Sequence, residues 1–546
     1  MSRESKVCLA GLGVVACAWI VSAALLSTLP ALVSPDIGIR LEMVRSWHSG
    51  GSLVRVAHPD PLHPFGFFLA RLPTGTFLSF PPLFPLLSTL PYTLAGLPGL
   101  VAIPLLSGLL ACAVLGAAGR RLGLRSWPLV GPVAGLATAL GFYAVVFWDP
   151  APLVLCVSLA ALGIARGDAR GAAFAGLALG AGAILHETGL LLGAVTIGAG
   201  LASRATRRFA LAATAAFAAG VALWIVSNQV FYGSFLGAHN QGANELGLST
   251  VARGLAPGAL WSRVVSQLGG TPVHAPIHVA AAAFPAALFL ASRLAWSRPS
   301  ALLLVALATG PAISLGAFLR NRAVDGLFTA SPLLLLALLA PLWEGQTEEA
   351  ADAAFAWMAR GSLLFGGAAL LLPVGPGWGW GSRYLLTSLP FLVLLAARQA
   401  EQRWPASPGP RRAASGLLVA GIAGSVLLQA AGTHAQWGGA SFWAALKGEV
   451  ESSGVSSLAT DSLAVGPCLV PIGLATPVLY VRWPDLFPAL CERLDRDAVD
   501  TLGWVGTREG FELLEKELRS AGSHFSEAPE RRRGGVRVLV RREASR

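Results

Sequence analysis

The chain has 546 residues, 54% of them hydrophobic and only 13% charged, and its mean hydropathy is +0.63. That is too little charge to clothe a water-soluble fold, which leaves an integral membrane protein as the class. The formal charge of +11 reports loop arginines that face anionic lipid and the cytoplasm, so membrane lipids, and no nucleic acid, are the expected partners.

Apolar runs of roughly 16–25 residues recur from Val7 to Ala431, each long enough or nearly so for a helix to cross about 30 Å of hydrocarbon. The short alternating segments of a closed barrel are absent. The first run, residues 7–29, follows Arg3 and Lys6. Its length and the lack of a small-x-small site before Pro30 predict a retained helix rather than a cleaved signal.

With the N-terminus cytoplasmic, the inward loops are those at Arg120-Arg121 to Arg125, 166–170, 204–208, 293–298, 344–360 and 398–412. All but the acidic one near Glu348 and Glu349 are marked by arginine, as positive-inside bias requires. The outward turns are Trp148-Asp149-Pro150, His186-Glu187-Thr188, 232–276, 320–325 and 375–383. This reading predicts an α-helical polytopic membrane protein of about 13 transmembrane helices.

One segment decides that register. Residues 80–96 are apolar, but Pro81, Pro82 and Pro85 strain a regular spanning helix. If they spanned, Arg120, Arg121 and Arg125 would face outward and every later loop would invert. The segment is therefore expected to be interfacial or re-entrant, within a large first outer loop of residues 30–98. Asp36 and Asp149 then share one face.

From about Ser441 the pattern changes. Residues 457–460, 478–481, 501–505 and 536–540 read as short strands, and 510–521 as an amphipathic helix. A small soluble α/β domain over 441–546, extracytoplasmic on this topology, is expected to follow the transmembrane domain of 1–440. The six cysteines form no metal pattern. Cys468 and Cys491 in this domain fit either a disulfide or two buried thiols. Neither a dinucleotide fingerprint, a P-loop nor a nucleophile elbow occurs, so a soluble nucleotide-sugar mechanism has no site.

Three patches carry a resemblance. Ser34-Pro35-Asp36 to Arg40-Leu41-Glu42-Met43-Val44-Arg45-Ser46, followed by Gly50-Gly51, is one. Phe80-Pro81-Pro82-Leu83-Phe84-Pro85 with Gly96 is the second. The third is Gly377-Trp378-Gly379-Trp380-Gly381-Ser382-Arg383-Tyr384-Leu385-Leu386, then Pro390. In these the chain resembles the GT-C membrane glycosyltransferases, with a layout similar to protein O-mannosyltransferases and lipid A aminoarabinose transferases. They match that family's first-loop acidic motif with its helix, its juxtamembrane proline segment and its late Gly-Arg-Tyr motif. The resemblance implies an inverting transfer of a sugar from a polyprenyl-phosphate donor to an acceptor hydroxyl, on the outer face of a bacterial cytoplasmic membrane. Many relatives carry an Asp-Glu pair where Ile37 here follows Asp36, which leaves open whether the acceptor is a lipid, a glycan or a protein, and whether a divalent cation takes part.

Phosphate is a ready leaving group, so such a transfer asks mainly for a general base and for cations on the lipid phosphate. An acidic residue at a membrane surface is costly without a task. Asp36 is accordingly read as the base, although its place before a helical pattern also suits an N-cap. Asp149 matches a second outer-loop acid of the family. It suits orienting the acceptor, anchoring Arg40 or holding a metal, and equally capping the helix that starts at Pro150. Arg383 offers phosphate a planar fork of donors amid glycines, against the plainer role of a snorkelling arginine. Arg40, His186, Glu187, Arg320, Arg322 and Tyr384 complete the expected substrate-binding set, the loop-end arginines and the His186-Glu187 pair each having an ordinary reading as polar groups that close membrane hairpins. Trp378 and Trp380 suit belt anchoring better than sugar stacking. His239, Asn240, Gln241, Asn244 and Glu245 suit sugar hydroxyls or a solvated loop. Two rival functions remain: a lipid or solute transporter (a flippase), which would bury ionisable groups mid-helix and pair broken helices, and a catalytically inactive relative that binds lipid-linked sugar.

Overall fold

The structure is a computed structural model that describes residues 2–27, 34–56, 60–238, 256–268, 275–294, 299–321, 326–341, 350–371, 382–481, 484–521, 525–528 and 535–541. The chain forms two compact units: Met1–Ala24, Pro98–Ser227 and Leu246–Ala435 make one, and Leu25–Leu97, Asn228–Glu245 and Gln436–Arg546 the other.

The first unit is helical. Among the described residues of the whole chain, seven helices are long and apolar enough to cross a membrane: Arg3–Leu26, Leu97–Arg121, Arg207–Tyr232, Pro276–Arg293, Ser300–Arg320, Ala350–Leu371 and Pro408–Ser452. Where about 13 spans are expected, further apolar sequence of this unit forms shorter pieces, among them Trp127–Ala137, Pro150–Ile164, Ala169–Leu185 and Glu187–Leu201. A 15-residue helix such as Pro150–Ile164 rises only about 22 Å, which suffices for segments packed inside a bundle. Small residues let them approach closely. A Cβ at Gly220 would lie 2.4 Å from Gly180 Cα, so the helices Ala169–Leu185 and Arg207–Tyr232 meet backbone to backbone, as membrane helices do without a hydrophobic drive of their own.

Two segments of this unit break inside the apolar region. Trp127–Ala137 stops at Thr138 and resumes as Leu140–Ala144. Leu327–Ala330 stops at Ser331 and continues as a buried 3-10 run, Pro332–Leu339. Broken backbone at membrane depth is tolerated only when its polar groups are closed within the protein. Ser331 Oγ accepts from Ala139 N at 2.9 Å and Gln429 Nε2 donates to Ala330 O at 2.7 Å, so the two breaks satisfy each other and the Pro408–Ser452 helix.

The second unit contains a five-stranded sheet of β3 Ser457–Thr460, β4 Val478–Tyr480, β5 Thr501–Trp504, β6 Phe525–Glu527 and β7 Arg537–Arg541. Across the sheet their order is β4-β3-β5-β7-β6. β3 pairs in parallel with β4 and β5, whereas β7 runs antiparallel to β5 and β6. The four expected strands and the expected helix, observed as Arg508–Ser520, are all present. β6 and the helix Phe487–Arg496 are additions. The helix is apolar on one face only, where Phe487, Leu490, Cys491 and Leu494 are buried.

The first loop belongs to this unit too. It carries a hairpin, β1 Leu69–Leu72 with β2 Gly75–Leu78, whose turn places Gly75 at φ 142°, a conformation open to glycine. Leu62 packs into the core with Phe487 and Leu490, its carbonyl accepts from Tyr480 N at 2.9 Å, and Asp60 meets Arg493 Nη1 at 2.6 Å. The 80–96 segment forms a helix, Leu83–Ala95, of 13 residues. It rises about 20 Å, short of a span, and exposes Leu87, Leu90 and Leu94 along one side while burying Phe84, Pro85 and Ser88. Cys468 and Cys491 are both free and buried, which decides for two separate thiols.

Candidate active site

The helix Pro35–His48 carries Asp36. Its N-cap is Ser34, whose Oγ accepts from Ile37 N at 3.4 Å. Asp36 therefore stands one turn-position inside, at N2, and the capping role that its sequence context suggests is filled by another residue. The Asp36 carbonyl accepts from Arg40 Nη1 at 3.1 Å. Arg40 is 2% exposed, with its guanidinium 4.5 Å from the centroid of Phe80. That contact ties the helix to the start of the proline segment.

Arg45, further along this helix, ties it to the Leu83–Ala95 helix and to the C-terminal part of the chain. Arg45 Nη1 donates to Pro471 O and Arg45 Nε to Tyr92 Oη at 3.4 Å. Burial pushes the Cys468 thiol far up, and the Asp36 charge adds to the rise, which places that carboxylate near a fully buried, unreactive sulfur. Glu42, also on this helix, has its pKa raised by burial against the opposing pull of Arg45. In the sequence Glu42 does not stand out, because its charge sits in a stretch whose hydrophobic pattern does not announce burial.

In the helical unit a second cluster forms. Arg383 lies 5.2 Å from the ring centroid of Trp148 and 4.8 Å from that of Tyr384, and its Nη2 donates to Tyr384 Oη at 2.7 Å. Two aromatic faces thus fix the guanidinium, a use to which arginine's flat ion is suited. The His186 ring stands 6.3 Å from Tyr384, centroid to centroid. His186 caps the helix Glu187–Leu201: its Nδ1 accepts from Thr188 N at 3.1 Å. Glu187 Oε2 is 3.7 Å from the same nitrogen. Asp149 adjoins Trp148 and is 3% exposed; it occupies the N-cap position of Pro150–Ile164, yet its side chain makes no capping hydrogen bond. Pro152, at the third helical position, removes one of the two backbone donors that such a cap would serve.

The structure thus gathers Trp148, Asp149, His186, Glu187, Arg383 and Tyr384 within one unit and Asp36 with Arg40 in the other. Arg320 ends the helix Pro299–Asn321 as an exposed side chain. Arg322, Trp378, Trp380, and the loop set His239, Asn240, Gln241, Asn244 and Glu245 lie outside the described residues. Among the described residues, no three His, Cys, Asp or Glu side chains group as metal ligands. Residues missed in the sequence are Thr188 and Thr387, buried hydroxyls 3.1 Å apart behind His186, and Gln267, 2% exposed, which accepts from Ser382 Oγ. Thr, Ser and Gln are too common in helices to be singled out without neighbours.

An apolar cavity of about 320 Å³ opens in the same unit. Phe289, Phe328, Leu363 and Leu392 line it, and Leu385, two residues beyond Arg383, stands at its wall.

No protein-family model matches the chain, and no curated protein matches it. Among solved structures it is similar to ArnT from Cupriavidus metallidurans bound to undecaprenyl phosphate, with a TM-score of 0.50 and 14% identity over 100% of this chain and 99% of that one. ArnT from the same organism in the apo state gives 0.45 and 15%, over 99% and 98% of the two chains. The Archaeoglobus fulgidus oligosaccharyltransferase complex with Zn and sulfate gives 0.43 and 14%, over 89% and 67%.

Proposed function

From the premise that the chain has the GT-C membrane glycosyltransferase fold, we propose that it moves a sugar from a polyprenyl-phosphate donor to an acceptor hydroxyl at the outer face of a bacterial cytoplasmic membrane. The observation that carries this reading is the Arg383 guanidinium packed over the Trp148 and Tyr384 rings, with the His186 ring 6.3 Å from that of Tyr384. A rigid planar cation suits a lipid phosphate whose negative charge grows as the anomeric bond breaks. The ArnT structure to which the chain is similar holds undecaprenyl phosphate, a ligand of the class proposed here. The apolar cavity beyond Leu385 suits the first isoprene units behind such a phosphate.

In the reaction, the acceptor oxygen attacks the anomeric carbon from the face opposite phosphate. The carbon–phosphate-oxygen bond breaks, its electron pair leaves with the polyprenyl phosphate, and the acceptor proton passes to the Asp36 carboxylate. Inversion at the anomeric carbon follows from a single displacement. Arg383 and His186 take the leaving phosphate. Arg40 supports Asp36 through its backbone carbonyl, Asp149 orients the acceptor, and the domain of residues 441–546 lies on the outer side. The transporter reading has in its favour the paired breaks near Thr138 and Ser331, but those breaks are hydrogen-bonded to one another rather than turned toward a solute path.

The test is equilibrium binding to the protein in nanodiscs. Polyprenyl phosphate should bind at least about tenfold more tightly to wild type than to Arg383→Ala, and the corresponding polyprenol equally to both. Equal affinity of wild type for the phosphate and the alcohol would remove Arg383 as a phosphate ligand and this reading with it.

A further inference from the structure

The buried hydroxyls behind His186 specify its protonation. Thr387 lies in the short 3-10 stretch Leu385–Ser388 and is 1% exposed; Thr188, in the first turn of Glu187–Leu201, is 6% exposed. Thr387 Oγ1 donates to Thr188 Oγ1 at 3.1 Å. With its oxygen accepting that proton, the Thr188 hydroxyl has its own proton to give to His186 Nδ1, 3.0 Å away. The Thr188 backbone N–H also points at Nδ1, at 3.1 Å. A nitrogen that receives two donors is an acceptor, so the ring proton of the neutral imidazole belongs on Nε2. Aligned hydroxyl chains in a dry interior strengthen one another, and an unpaired hydroxyl at such depth is costly. The chain therefore has a physical reason to hold one direction.

Glu187 supplies the competing arrangement. Its Oε2 is buried without a hydrogen-bond partner and stands 3.7 Å from Nδ1. A proton on Nδ1 would face this carboxylate and lose both threonine donors.

Resting on the transfer reaction proposed above, we propose that Thr188 and Thr387 are positioning residues that fix His186 as the Nε2-protonated neutral tautomer, a hydrogen-bond donor to the lipid phosphate beside Arg383. The sequence alone presents His186-Glu187 as a pair. The geometry instead pairs the ring with two hydroxyls, one of them contributed by a segment 199 residues away.

The experiment is ¹⁵N-histidine NMR on the full-length protein in nanodiscs, with His186→Gln assigning the signal, alongside steady-state release of polyprenyl phosphate. Wild type should show His186 protonated at Nε2 and bare at Nδ1. Thr188→Val should convert the signal to a tautomer mixture and raise the donor KM about tenfold, the lower end of what partners that orient a functional histidine contribute, with a smaller change in kcat. Thr188→Ser should restore both readouts. Thr387→Val, one bond further from the ring, should give a weaker version of the same change and serves if Thr188→Val does not fold. A wild-type His186 protonated at Nδ1, or a folded Thr188→Val with unchanged spectrum and KM, would overturn the proposal. If wild type releases nothing from any donor, the transfer reading fails, while the spectrum still decides the tautomer.

Discussion

The two units hold their functional groups by different means. In the unit with the sheet, Asp36 rides on a capped helix, and ion pairs stay within reach of water, such as Arg493 with Asp60, whose side chains are 34% and 32% exposed. Around His186 and Arg383, in the helical unit, there are aromatic faces and a chain of buried hydroxyls. The difference follows from solvent. A polar group that water can reach has an alternative partner, and its bond contributes little; a polar group at membrane depth must be closed inside the protein.

That contrast can be broken by mutation, and the largest effect belongs to the chemistry. Asp36→Asn removes the proposed base and should lower kcat by roughly 10²–10⁴-fold, with the donor KM little changed, as read by polyprenyl phosphate release. Arg383→Lys keeps a charge but loses the fork and the stacked plane. It should raise the donor KM about tenfold while leaving kcat closer to wild type. If both variants moved the same kinetic constant, the division of labour between base and phosphate anchor would collapse.

Stability should separate the units as well. Ser331→Ala leaves Ala139 N–H without its acceptor in the broken region and should cost about 1–2 kcal/mol in denaturant unfolding. Arg493→Ala, at a half-exposed ion pair, should cost about 1 kcal/mol or less. A reversal of that order would mean that the breaks in the helical unit are not held as described. The smallest effect concerns pH. Because burial raises the Glu42 pKa in the folded state, the unfolded chain loses this proton first as pH rises. Stability should therefore fall from the ordinary carboxylate range up through the raised pKa, and stay lower at neutral pH. Glu42→Gln should flatten that dependence in thermal melts across the acid range; an unchanged slope would remove Glu42 as its source.

Much of this was legible in the chain. Hydropathy announces the membrane class, and alternating apolar positions place β3, β4, β5 and β7 within a residue or two. β6 was not legible: three partly buried residues, Phe525, Ser526 and Glu527, carry no alternation. The number of regular spans was not legible either, since a helix that stops at Thr138 and one that stops at Ser331 have the same hydropathy as unbroken ones; only the hydrogen bond between Ala139 and Ser331 shows why the breaks are stable. For the candidate site, Arg383, Tyr384 and His186 stood out as chemistry-bearing residues at loop ends. Their convergence with Thr188 and Thr387 depends on contacts across about 200 positions, which no local pattern encodes. Asp36 stands out from its motif, while its neighbour at the helix start, Ser34, takes the cap because a serine hydroxyl one step before Pro35 reaches Ile37 N.

Sugar transfer is tested by release of free polyprenyl phosphate by the purified wild-type protein in lipid, from a panel of polyprenyl-phosphate sugars with membrane extract as the acceptor source. Release is expected from at least one donor, in step with appearance of that sugar on an acceptor with inverted anomeric configuration. A folded protein that binds these lipids but releases phosphate from none of them would contradict it.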